Sequence, residues 1–193
     1  LLLWECHTIL NRRWYASLFK GSYQPYRIMQ LVVNLGISVC ALLLMLSGVM
    51  MAWFLPFSVG AALGFARTAH LAGSHWYYLF MCAHIGLHVN VIFARFRKQR
   101  PQTQVESHRA RTVLLRALLA LVCCYGIYAF IVRGLWKYML LLQQFFFFDF
   151  ERGYILFAVD YFAILVLFAA IAFYAGKALL LLGKKQSRDS SKK

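Results

Sequence analysis

Leu31-Val32-Val33-Asn34-Leu35-Gly36-Ile37-Ser38-Val39-Cys40-Ala41-Leu42-Leu43-Leu44-Met45-Leu46-Ser47-Gly48-Val49-Met50 is a run without a single charged side chain. Crossing the hydrocarbon core of a bilayer takes about 20 mostly apolar residues in a helix. The run belongs to a longer apolar segment, about 28–56, and three more segments match it: about 66–94, 113–132 and 154–182. Lipid offers no partner to an unpaired backbone N–H or C=O, so each segment is expected to be a helix. The expected fold class is therefore all-α: a polytopic transmembrane helical bundle of four full spans plus the end of a fifth.

Residues 1–10 supply that fifth piece. The chain opens on Leu1-Leu2-Leu3-Trp4 rather than on methionine, which reads as the tail of a truncated span. The stretch is too short for a signal peptide and lacks its basic start and cleavage site. Short loops join the segments, so residues 1–193 form a single membrane domain that ends in a basic tail, 183–193.

Composition supports the same architecture. Hydrophobic residues make up 62% of the chain and charged residues 14%, against about 25% charged in soluble domains. The net charge of +15 suggests nucleic acid at first sight, because basic patches are the footprint of phosphate binding. Its distribution argues otherwise. Arg12, Arg13, Lys20 and Arg27 lie in the first connection, and Arg95 to Arg116 hold seven more basic residues. Lys177, Lys184, Lys185, Arg188, Lys192 and Lys193 close the chain. In a serpentine path these three regions share one face, and the other face receives only Arg67, Arg133, Lys137 and Arg152. The positive-inside rule makes the rich face cytoplasmic, with the C-terminus there. Topology accounts for the charge, and nucleic acid is not an expected partner. The expected location is the cytoplasmic membrane.

Residues 133–153 connect the last two spans on the outer face. Their apolar run, Tyr138 to Leu142 and Phe145 to Phe148, is too short to span. Its aromatic residues suit a segment lying along the outer leaflet. The five cysteines, Cys6, Cys40, Cys82, Cys123 and Cys124, form no Cys-x-x-Cys or Cys-x-x-Cys-His motif. That argues against a disulfide scaffold and a covalently attached haem.

The histidines carry the chemistry. His7, His70, His84 and His88 lie in or at the ends of spans, where an ionisable side chain is a functional hypothesis by default. His70 and His84 are 14 residues apart on one helix. At 3.6 residues per turn and 1.5 Å per residue they face nearly the same side, about 21 Å apart along the axis. One then sits near each membrane face, as a transmembrane ladder of two haems requires. His7-Thr8-Ile9-Leu10-Asn11 and His84-Ile85-Gly86-Leu87-His88 share His-x-x-Leu followed by Asn or His, and both run into the cytoplasmic side. His7 and His84 can therefore ligate one iron, while a partner for His70 would fall 14 residues before His7. His84 and His88, at i and i+4, also have zinc-ligand spacing, but no carboxylate or cysteine accompanies them. His88 is either a haem-propionate contact or the ligand in place of His84; His75 and His108 read as ordinary. Arg67, one turn before His70, suits an outer propionate, and Arg12 or Arg13 an inner one. Gly73 and Gly86 suit either approach of a flat macrocycle or helix packing. Asp160, about two turns inside the last span, is either a proton or propionate-network residue or a capped interfacial acid.

Taken in order, further pieces add a resemblance: His7 to Tyr15, Lys20-Gly21, Tyr26-Arg27, Ser47-Gly48, Ala66-Arg67, His70, Trp76, His84 to His88, Tyr125 to Phe130, Tyr138-Met139, Phe147-Phe148-Asp149 and Asp160-Tyr161. The chain resembles the bacterial flavinylation-associated membrane cytochromes, a domain-of-unknown-function family related to cytochrome b, over nearly its whole length. The resemblance implies bis-histidine haem b, electron transfer across the cytoplasmic membrane and an extracytoplasmic flavoprotein as partner. By it, His7, His70 and His84 match haem-iron ligands and His88 a common extra histidine. The family's earlier span with a further histidine has no counterpart here, which leaves the outer haem site incomplete.

The resulting expectation is an electron-transfer component rather than a stand-alone enzyme; no catalytic triad or phosphate loop is present. Two alternatives stand beside it. One is a membrane anchor subunit that takes electrons from a quinol. The other is a haem-free transporter or assembly subunit whose histidines bridge helices.

Overall fold

A computed structural model of the chain describes residues 2–17, 23–52, 60, 62–98, 107–146, 148 and 153–190. Every regular element among them is a helix: α1 (Leu2–Leu10), α2 (Arg12–Ala16), α3 (Pro25–Met50), α4 (Ala62–Lys98), α5 (Ser107–Val132), α6 (Leu135–Met139) and α7 (Gly153–Ser190). Three are long and apolar enough to cross a membrane: α3, α5 over Ala110–Val132 and α7 over Gly153–Gly183. Their outer surfaces agree. On α3 the exposed residues Val32, Leu35, Val39, Leu42 and Leu46 form one stripe at helical spacing. A contiguous apolar face of that length marks contact with lipid or another apolar surface, not with water.

The fourth expected span, α4, has the length: its 37 residues cover about 55 Å. It carries Thr68, His70, Ser74, His75, His84 and His88, and over its described residues it does not join those three. The helix order accommodates these polar residues. α4 packs against both α3 and α7, which also touch each other, and α7 packs on its other side against α5. A helix between two others meets side chains rather than lipid, so polar residues on it find partners. Ala66, Gly73, Cys82, Gly86 and Leu87 are buried in these contacts.

Small residues set the closest approaches, as is usual where lipid supplies no hydrophobic drive between helices. A Cβ at Gly86 would collide with the carbonyl oxygen of Ala169 on α7, and one at Gly73 would lie 3.1 Å from Leu43 on α3. Both glycines therefore serve helix packing. Gly126 meets the carbonyl of Ala163 in the same way and seats α5 on α7.

Helix ends follow local chemistry. Pro25 opens α3, where its missing N–H is one the first turn leaves unpaired anyway. Gly134, in the left-handed conformation (φ +65°), ends α5 and starts α6. Lys137 and Tyr138 accept hydrogen bonds from the N–H groups of Leu142 and Leu141, at 2.8 and 3.2 Å. This is the Schellman pattern, with Leu141 (φ 59°) at the position glycine usually takes.

Two regions are seen in more detail than the sequence allowed. The 133–153 connection packs in part against the bundle. Its first part, α6, turns Leu135 and Tyr138 inward, with Leu135 wholly buried, and packs on α4 and α5. Only from Leu140 to Phe146 are large apolar side chains exposed; Phe147 and residues 149–152 lie outside the described residues. The basic tail, in turn, continues the last helix as far as Ser190. The N-terminal piece, α1, is helical, and among the described residues it packs only against α2.

Candidate functional site

The site is built on the α3–α4 pair, which runs antiparallel. His84 Nδ1 lies 2.9 Å from Asn34 Oδ1. A carbonyl oxygen can only accept, so His84 donates through Nδ1–H. Fourteen residues earlier on α4, His70 Nδ1 lies 3.0 Å from Ser47 Oγ. Ser47 donates its hydroxyl hydrogen to the carbonyl of Leu43 at 2.6 Å, so toward His70 it accepts. Both imidazoles thus carry their hydrogen on Nδ1 and keep Nε2 as the basic nitrogen. Among the described residues neither Nε2 has a hydrogen-bond partner. The ring of His70 also lies beside Gly48, where a Cβ would sit 3.8 Å from its Cε1.

Around His84 the other histidines gather. The His88 ring stands 4.5 Å from the His84 ring, centroid to centroid, and is tilted by 49°. His7, on α1, is close enough to His84 for the two imidazoles to interact electrostatically. Yet no Cα of α1 comes within 8 Å of α3, α4 or α7 among the described residues. Among the described residues His7 makes no hydrogen bond or ring contact with His84.

One contact bears on His7 as a ligand. Asn11 Nδ2 donates to His7 Nε2 at 3.2 Å and to the His7 carbonyl at 2.8 Å. Ligation through His7 Nε2 requires Asn11 to turn away; the side chain is exposed and free of packing that would hold it. His7, His88 and Arg67 are exposed, whereas His70 and His84 are half-buried. Arg67 lies one turn from His70, and Arg12 and Arg13 are exposed on α2. No group of three His, Cys, Asp or Glu side chains converges among the described residues, so His84 and His88 have no third partner of the kind a zinc site takes.

The remaining histidines separate clearly. His75 is buried, donates from Nδ1 to the Leu71 carbonyl at 2.8 Å, and stacks on Tyr138 at 4.6 Å. Its work is to hold α6 on α4, helped by the Trp76 indole N–H donating to the Met139 carbonyl at 3.2 Å. His108 lies in the first turn of α5, with its side chain outside the described residues. Asp160, open to two readings in the sequence, pairs with Arg133 and accepts from the Tyr125 hydroxyl.

Asn34 and Ser47 are partners of His84 and His70 that the histidine pattern did not single out. Their signal is visible afterwards: two polar side chains 13 residues apart in an apolar run, opposite two histidines 14 apart. No protein-family model matches the chain, and no curated protein or solved structure is similar to it.

Proposed function

We propose that this chain is a membrane cytochrome of the b type, similar to the flavinylation-associated family, that carries electrons across the cytoplasmic membrane. The supporting observation is the pair His70 and His84: one helix, 14 residues apart, both with Nε2 free of a hydrogen-bond partner among the described residues. In this reading α4 crosses the bilayer as the fourth span, shielded by α3 and α7, and the basic face with the C-terminus is cytoplasmic. His84 and His7 hold an inner haem, with His88 beside it and Arg12 or Arg13 near its propionates. His70 supplies one ligand of an outer haem, with Arg67 near its propionates, and the second ligand comes from outside the described residues. Haem, when bound, supplies one-electron chemistry at a potential set by its ligands and their burial. The protein residues hold it, exclude water and fix the ligand nitrogen. The electron acceptor is an extracytoplasmic flavoprotein, and a quinol is the donor class that a membrane-embedded carrier meets most directly.

The test is spectroscopic. Protein produced with haem available should be red, with a reduced b-type spectrum that His84→Ala removes in part and His70→Ala together with His84→Ala removes wholly. A colourless, fully folded preparation would leave the histidines as bridges between α3 and α4, which is the haem-free alternative. Orientation is read separately: with native cysteines replaced, Lys137→Cys should react with an impermeant thiol reagent from outside the cell and Arg12→Cys should not.

A further inference from the structure

We infer that Asn34 and Ser47 of α3 are positioning residues that select the tautomer of His84 and His70, and that they set the donor strength of each Nε2 independently. The second half of this inference rests on the haem reading; the first half does not.

The tautomers follow from the partners. A neutral imidazole has one N–H and one basic nitrogen, and whichever nitrogen donates leaves the other as the ligand. Asn34 Oδ1 has no hydrogen to give, so the 2.9 Å contact requires Nδ1–H on His84. Ser47 is ambiguous in isolation, since a hydroxyl both donates and accepts. The 2.6 Å bond to the Leu43 carbonyl removes the ambiguity, because the only hydroxyl hydrogen is already engaged. The same bond polarises the Ser47 oxygen and strengthens it as an acceptor. Two different side chains on one helix thereby impose the same tautomer on two histidines of its neighbour.

The consequence is specific to nitrogen chemistry. An acceptor on Nδ1–H fixes the ring orientation and raises the basicity of the opposite nitrogen, as outer partners of ligating histidines generally do. Removing the acceptor frees the ring to rotate and to exchange tautomers. Because the Asn34 side chain bonds His84 and not His70, and the Ser47 side chain His70 and not His84, each removal should act at one histidine and leave the other unchanged.

The experiment begins with haem-free protein in micelles, labelled with nitrogen-15 at histidine. In the wild type, His70 and His84 should both show a protonated Nδ1 and an unprotonated Nε2. Asn34→Leu should convert only the His84 signals toward a tautomer mixture, and Ser47→Ala only those of His70. An Nε2–H form of either histidine in the wild type, or variants that leave both patterns unchanged, overturns the inference. In haem-loaded protein, Asn34→Leu should move the midpoint potential of the His84-linked haem to more positive values, because a less basic ligand stabilises the ferric state less. An unchanged potential with haem fully bound overturns the donor-strength half. If the wild type binds no haem, the cytochrome reading fails, while the nitrogen-15 pattern still decides the tautomer assignment.

Discussion

Arg133 Nε donates to Asp160 Oδ2 at 2.7 Å, with a tenth of the arginine side chain and 4% of the aspartate side chain exposed. The pair joins the end of α5 to the second turn of α7, and the Tyr125 hydroxyl completes it at the other carboxylate oxygen. The guanidinium lies over the Phe157 ring, 5.4 Å from its centroid. Its Nη2 is buried without an acceptor among the described residues.

A sheltered charge that loses its partner is costlier than a sheltered pair. Asp160→Leu should lower the unfolding free energy by about 3–5 kcal/mol, because Arg133 keeps its charge and loses the carboxylate it pairs with. Combining it with Arg133→Met should recover much of that loss, since both groups are then apolar. Denaturation in mixed micelles, followed by circular dichroism, measures both. A double variant less stable than the single one would refute the pairing as the source of the effect.

Gly86 and Gly64 make a matched pair on α4. Gly86→Ala drives a methyl into the Ala169 carbonyl, so α4 and α7 must separate, and a loss of about 1–3 kcal/mol is expected. Gly64 has nothing among the described residues within 4 Å of its would-be Cβ, so Gly64→Ala should stabilise by about 0.4–1 kcal/mol through reduced freedom of the unfolded chain. Equal responses at the two positions would contradict the packing described for Gly86.

Leu141 occupies a backbone region that costs a side-chain-bearing residue about 1–2 kcal/mol. Its side chain is 53% exposed, so little packing opposes replacement. Leu141→Gly should therefore raise the unfolding midpoint. A lowered midpoint in micelles would mean that lipid or detergent contact of the leucine outweighs the backbone relief.

Hydropathy made α3, α5 and α7 legible, because each shows lipid an apolar side that recurs along the chain. The ends of α4 and α7 were less so. A polar helix end remains helical when the preceding turns carry it, as from Gly183 to Ser190, and composition alone reads such residues as a tail. The span lengths and the His70–His84 spacing were readable from helix geometry. Partners were not. Asp160 and Arg133 are 27 positions apart and His84 and Asn34 are 50 apart, and nothing local in either stretch specifies which will meet. The inward turn of Leu135 and Tyr138 was hidden for a similar reason: aromatic and aliphatic residues near a membrane surface look alike whether they face lipid or a neighbouring helix.

α5 stands at the margin of the bundle, and among the described residues α7 is its only long neighbour. α6 gives it a second mooring, because that short helix touches both α4 and α5 and is clasped by His75 and Trp76. The Val132 end of α5 is thus tethered through α6 to the helix that bears the histidines. A displacement of the segment from Leu140 to Phe146, which follows directly on α6, would pull on α4 without first passing through α7.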